Sequence, residues 1–222
     1  MQIKKSTLKL SNVKLNPSQI HKFRGYVGNI FKEHDIIHNH NINGNNIYRY
    51  PLIQFKLMDN VPSIVAITEE AIKVFSKIFM DMDEIVVDGL KIPVFEKDLK
   101  VEEVGFGYSD ETYMYEFDQS PWLGLNQENF RKYVKVDQKG KDEILQRVLT
   151  GNILAMSKYL DYRLAEDQRI KVVLNVKEVK ANLKGQKMIG FKGFFKANFN
   201  IPDGFGLGKS VSRGFGSVKK MI

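Results

Sequence analysis

The order in which the hydrophobic period switches limits this chain to few folds. Residues 3–15 alternate loosely, with Ile3, Leu8, Leu10, Val13 and Leu15 on the apolar side, and read as a first strand. Asn16-Pro17-Ser18-Gln19 then opens a helix, with Asn as cap, Pro at the first helical position and Gln three after the cap. Ile20, Phe23, Val27 and Phe31 form its apolar stripe. Residues 33–46 are polar, asparagine-rich and aperiodic, so they read as a loop. Residues 48–57 and 61–67 are strands joined by a tight Asp59-Asn60 turn. Thr68 is expected to cap a second helix, with Glu69 and Glu70 in its first turn and Ile72, Phe75, Ile78 and Phe79 on its buried side. Residues 85–95 return to strand character with a turn at Asp88-Gly89. Strand, helix, strand, strand, helix, strand is the split βαβ, or ferredoxin-like, arrangement.

The second half repeats this pattern loosely. Residues 112–117 read as a strand, and residues 142–160 as the strongest helix, with Ile144, Leu145, Val148, Leu149, Ile153, Met156 and Leu160 on one face. Residues 170–179 and 188–201 are strands, followed by a glycine-rich stretch and a short final strand. The expected class is α+β: two tandem ferredoxin-like domains, the second degenerate, over residues 1–107 and 108–222.

The glycine-rich stretch is residues 204–216, in which five glycines alternate with Phe205, Leu207, Val211 and Phe215 and with Lys209, Ser210, Ser212 and Arg213. Flexible linkers lack large apolar residues, so this one is expected to be pinned to a core, with Lys209, Ser210 and Arg213 turned outward. Bare amides beside cations suit a phosphate backbone. Gly208-Lys209-Ser210 fits the end of a nucleotide P-loop, but Asp203 stands where that motif needs its first glycine. A plain hairpin with glycine bulges is the structural alternative.

Charge concentrates on the same stretch. From residue 169 onward there are 12 Lys/Arg and only two acids, Glu178 and Asp203, against a net charge of +8 for all 222 residues. The remainder is therefore slightly acidic, and the asymmetry favours a polyanionic partner over general solubility. A solvated basic face is the alternative. Residues 188–199 mix Phe and Lys, which reads as a strand with one buried aromatic face and one cationic face. Lys187, Lys192 and Lys196 then extend the charged surface beside Lys209 and Arg213. The chain has no cysteine, which excludes disulfides and thiolate metal sites. No signal-like or membrane-length apolar run occurs, so the expected compartment is the cytoplasm and no membrane partner is expected.

Gly206-Leu207-Gly208 and Gly214-Phe215-Gly216, two Gly-hydrophobic-Gly units near the chain end, resemble the signature of the CRISPR-associated endoribonucleases of the RAMP superfamily. These enzymes cut precursor CRISPR RNA within its repeats. Tyr115-Glu116-Phe117 followed by Ser120-Pro121-Trp122-Leu123-Gly124-Leu125-Asn126 resembles a mid-chain segment of one archaeal and bacterial branch. The resemblance implies a precursor CRISPR RNA repeat as partner. It leaves room for other effector-complex subunits and for a homodimer. It places Gly206, Gly208, Lys209, Ser210, Arg213, Gly214 and Gly216 on the RNA, and it implies catalysis by a histidine in the loop after the first helix, with no cofactor.

All four histidines fall within twenty residues. His21 reads as a surface helix residue, whereas His34, His38 and His40 fall in the polar loop. An imidazole is available in both protonation states near neutrality. His38 and His40, two residues apart, share a face of an extended segment and can flank one phosphate. Tyr48 could donate to a phosphate oxygen, strand packing being the alternative. RNA carries its own nucleophile, the ribose 2′-OH, so two such groups suffice without a metal. A His-x-His metal site, a metal-dependent nuclease and a non-catalytic RNA-binding scaffold are the competing readings.

Overall fold

The computed structural model describes residues 1–30, 50–117, 120–183 and 185–221, with backbone alone for 77–79. These residues divide into two compact units. One holds Gln2–Val104 with Val211–Gly214, and the other holds Met1, Gly105–Ser210 and Phe215–Ile222.

In the N-terminal unit the chain runs through β1 (Gln2–Leu10), α1 (Ile20–Ile30), β2 (Ile53–Met58), β3 (Val61–Ile67), α2 (Glu69–Asp81), the hairpin β4 (Glu84–Val87) and β5 (Leu90–Pro93), and β6 (Lys97–Gly105). The sheet order is β2-β3-β1-β6. This is the split βαβ order, with β1 antiparallel to β3 and β2 antiparallel to β3. Asp59 and Asn60 both take positive φ, 54° and 63°, as a two-residue hairpin matched to strand twist requires.

Several expected boundaries move. Asn16 and Gln19 do form a capped start, the Gln19 side chain accepting from the Asn16 amide at 2.9 Å. A 3-10 turn over Pro17–Gln19 precedes the α-helix proper. The first strand ends at Leu10, and Val13 and Leu15 are buried from a loop rather than a strand. Thr68 stands at the cap position of α2 with a φ of 83° and makes no side-chain capping bond. The largest correction concerns residues 85–95. Asp88 and Gly89, both at positive φ, fold them into the separate β4–β5 hairpin after four residues. The fourth strand of the sheet is β6 instead. Its pattern is concealed because nearly all of it is exposed or half-exposed, so alternation carries no burial signal. Glu102 of β6 accepts from Lys5 of β1 at 3.2 Å.

The core of this unit packs α1 and α2 on the sheet. Phe23 meets Phe55 edge-on, 5.4 Å between centroids, and Val27, Leu8, Ile64 and Phe75 are fully buried around them. Each such side chain contributes about 1.5–3 kcal/mol on burial.

The C-terminal unit runs through β7 (Gly107–Phe117), α3 (Gln127–Tyr133), α4 (Gln138–Tyr159), β8 (Val172–Leu183), β9 (Gln186–Asn200) and β10 (Val218–Lys220). Its sheet order is β10-β7-β9-β8. Counted within each unit, both sheets run fourth, first, third, second. The first crossover uses α4, capped by Asp137, whose carboxylate accepts from the Gly140 amide at 2.9 Å. The second crossover, from β9 to β10, carries the glycine-rich stretch in place of a helix, with one 3-10 turn at Val211–Arg213. That missing helix is the degeneracy expected from the sequence. The core here is aromatic: Tyr115 stacks on Phe195 at 5.1 Å, Phe117 on Trp122 at 5.4 Å, and Phe106 meets Phe199 edge-on at 5.1 Å.

Candidate nucleic-acid interface

The glycine-rich loop is held by a brace that starts at the mid-chain segment. The Tyr115 hydroxyl donates to Phe199 O and accepts from the Ile201 amide, both at 2.9 Å, and so anchors the chain where the loop begins. Burial raises the Tyr115 pKa above its ordinary value, so the phenol stays protonated and able to donate. Trp122 and Phe191 exchange backbone hydrogen bonds at 2.8 and 2.9 Å, clamping the Ser120–Asn126 segment to β9. The indole N–H of Trp122 donates to Asn152 of α4 at 3.0 Å.

The loop then lies on this segment. Leu123 O accepts from the Lys209 amide at 2.9 Å, and Pro121 O accepts from the Gly216 amide at 3.1 Å. Gly206 pairs with Ser217, and Leu207 N donates to Gly216 O at 2.9 Å. Two glycines are required by geometry. A β-carbon at Gly216, φ +63°, would lie 2.0 Å from Leu207 O. At Gly208, φ +87°, it would lie 2.7 Å from both Leu123 O and the Trp122 indole nitrogen. The mid-chain and C-terminal signatures are therefore two parts of one brace.

The stretch Val211–Gly214 belongs to the N-terminal unit. There Val211 is buried and its carbonyl accepts from the Lys56 ammonium at 3.4 Å. A β-carbon at Gly214 would come within 3.3 Å of Ile20 and of Phe55 O. Arg213 sits close enough to Arg24 of α1 for the two guanidiniums to repel. Burial first, and Arg213 second, pull Arg24 below its ordinary pKa, and burial does the same to Arg213. An arginine stays charged regardless, so two like charges lie near one another, both half-buried. Arg24 was not anticipated. The available signal was its place four residues after Ile20, on the flank of the α1 stripe.

In the C-terminal unit, Lys187, Lys192 and Lys196 are exposed on β9. Lys192 stands opposite Lys177, while Lys196 stands between Val173 and Met114. Phe191 and Phe195 are buried, as a two-faced strand requires, but Phe194 points out with the lysines and is 39% exposed. Lys187 and Lys209 meet in a groove of about 390 Å³, together with Lys180. Lys192 and Lys196 are not part of it. Burial lowers the pKa of Lys209. The two acids of the basic quarter are turned to structural partners. Glu178 accepts from the Tyr133 hydroxyl at 2.7 Å and from Lys141 at 3.4 Å, and Asp203 accepts from the Lys220 amide at 2.7 Å. Neither neutralises the groove. His21 is exposed on α1. His34, His38, His40 and Tyr48 lie outside the described residues.

Against this geometry stand the comparisons with known proteins. A family model for the Cas6b N-terminal domain matches residues 1–105, and one for the Cas6b C-terminal domain matches residues 107–221. The chain belongs to the Cas6b family. A solved Cas6b structure is similar at 37% identity and a TM-score of 0.94, covering all of both chains. A second, described as a CRISPR RNA processing endoribonuclease Cas6b, is similar at 34% identity and a TM-score of 0.78, again over all of both chains. An uncharacterized protein of Methanocaldococcus jannaschii is 41% identical over 142 residues, which span 64% of this chain and 95% of that one. A type IV Cas6 crRNA endonuclease, 10% identical at a TM-score of 0.60, shares the fold. The glycine loop and the Tyr115–Asn126 segment were legible in the sequence as two separate motifs, whereas their union into one brace was not. The α3 segment and the Lys180–Lys187–Lys209 cluster were not legible either, because neither carries a spacing motif. No described helix is long and apolar enough to cross a membrane.

Proposed function

We propose that this chain is a metal-independent endoribonuclease that cuts CRISPR repeat RNA. The observation that carries the reading is the full-length likeness, at 34% identity, to a Cas6b described as a CRISPR RNA processing endoribonuclease. The braced loop and the unneutralised cations support RNA as the polyanion. Gly206, expected on the RNA, is buried and paired with Ser217, and Gly208, Gly214 and Gly216 are used for close packing against the chain itself, so the loop meets RNA through side chains rather than through bare glycine backbone. Lys209, Ser210, Arg213, Lys187, Lys192 and Lys196 supply charge and hydrogen bonds along the strand.

In the reaction, one imidazole of the pair His38 and His40 takes the proton of a ribose 2′-OH. The freed oxygen attacks the adjacent phosphorus, the bond to the 5′-oxygen breaks, and the other imidazole returns a proton to that oxygen. Tyr48 donates to a non-bridging phosphate oxygen. The products are a 2′,3′-cyclic phosphate and a 5′-OH, and no metal enters the balance. Incubation with repeat RNA in excess EDTA tests this: cleavage is expected to persist, and a 2′-deoxy nucleotide at the cut is expected to abolish it. Cleavage that stops in EDTA would overturn the metal-independent route. Binding without cleavage would make the chain a scaffold subunit.

A further inference from the structure

The groove of the C-terminal unit is built differently from the rest of the basic surface. It is lined by Leu125, Asn126, Gln127 and Phe130 from the start of α3, by Lys180, Lys187, Met188 and Ile189 from the β8–β9 hairpin, and by Lys209 from the glycine loop. Its volume, about 390 Å³, falls in the range of pockets for small organic groups, roughly 300–1,000 Å³. No carboxylate lines it, and none of its three lysines is ion-paired with a carboxylate among the described residues. Phe130 is 41% exposed at its wall although an aromatic ring gains by burial. A patch of lysines meant only to hold a duplex backbone has no use for an apolar floor.

We propose that this groove takes one unpaired nucleotide of the bound RNA, its base stacked on Phe130 and its phosphate held by Lys180, Lys187 and Lys209. The occupant follows from two features together. Three unneutralised cations call for a polyanion, and an apolar wall carrying an open ring calls for a flat aromatic group, so one polymer supplies both. Lys209 makes the groove continuous with the glycine loop, because its amide is fixed to Leu123 O at 2.9 Å while its side chain lines the pocket. Asn126 and Gln127 bring side-chain amides that can read a base edge, although Asn126 Oδ1 is already engaged by the Asn129 amide at 2.7 Å. The inference rests on the RNA-cleaving reading and assigns one contact within it: a base, rather than backbone alone, is recognised at this point.

The test uses the full chain and repeat RNA carrying a 2′-deoxy nucleotide at the cut, so that binding is read without cleavage. Phe130→Ala is expected to weaken binding about tenfold, and Lys180→Ala with Lys187→Ala by a similar factor. Scanning the RNA with single abasic nucleotides is expected to find one position at which the wild type loses about tenfold and Phe130→Ala loses nothing further. 4-Thiouridine placed there is expected to crosslink to the 125–130 or 187–189 peptides. Thermal melting of each variant separates loss of contact from loss of fold; should Phe130→Ala melt early, the lysine variant and the wild-type crosslink carry the decision. Wild-type RNA binding with crosslinks confined to other peptides, or unchanged binding by both variants, overturns the groove and leaves the nuclease reading intact. Absence of RNA binding by the wild type overturns the nuclease reading itself.

Discussion

The two units share one strand order and differ at one crossover. In the N-terminal unit both crossovers are helical, α1 and α2, and the core is mostly aliphatic with Phe23, Phe55 and Phe75 at its centre. In the C-terminal unit the second crossover is the glycine loop, and aromatic rings in contact from Phe106 to Phe205 fill the core. The exchange has a physical logic. A helix satisfies its own backbone and turns its amides inward. A loop must find partners for its amides elsewhere, and the amides of Gly204, Phe205, Leu207, Lys209, Gly214 and Gly216 all donate to carbonyls of the chain rather than standing bare. Here Pro121, Leu123, Trp122 and Tyr115 supply the outside support. The regular half keeps regular elements, and the other half carries a braced loop where its second helix would stand.

Four changes sharpen or break that contrast, beginning with the strongest. His38→Ala and His40→Ala are expected to lower single-turnover cleavage by about 10²–10⁴-fold each while repeat binding stays within about twofold. A parallel loss of binding would move these residues from chemistry to grip. Gly216→Ala is expected next. Its β-carbon meets Leu207 O at 2.0 Å with φ already positive, so stability should fall by roughly 2–4 kcal/mol in denaturant melts. RNA affinity should fall with it. An unchanged melting midpoint would show that the loop is not braced as described.

Third, Arg24→Ala and Arg213→Ala are each expected to weaken RNA binding by about five- to tenfold and to reduce the slope of log affinity against log salt by about one. The smallest effect is expected at Gly25, exposed on α1, where an added β-carbon meets nothing within 4 Å. Gly25→Ala should raise stability by about 0.5–1 kcal/mol through helix propensity alone. Gly216 and Gly25 thus become opposite tests: substitution should cost stability where the helix was lost and add it where the helix remains.

How far the sequence showed this depends on burial. Where one face of an element is buried and the other wet, the period was readable: α1 through Ile20, Phe23 and Val27, and β9 through Phe191, Phe195, Lys192 and Lys196. The Asp59-Asn60 turn was readable because few other residue pairs accept two positive φ values. β6 was missed because it is an edge strand with little buried surface, and the preceding hairpin, with Val87, Ile92 and Val94, imitates the missing strand. The short α3 was missed because Tyr133 is its sole fully buried side chain. The glycine loop was legible as chemistry but not as architecture. Nothing local to residues 204–216 tells that Trp122 and Leu123, more than eighty positions earlier, form its bed. Arg24 beside Arg213 is likewise a long-range meeting of a helix flank with a loop tip, which no local pattern encodes.

The most direct test of the central account is end-group analysis of repeat RNA cut in EDTA by the wild type and by the His38→Ala, His40→Ala double variant. The account predicts 2′,3′-cyclic phosphate and 5′-OH ends from the wild type, and bound but uncut RNA from the variant. Wild-type products ending in 3′-OH and 5′-phosphate, or undiminished cutting by the double variant, would contradict it.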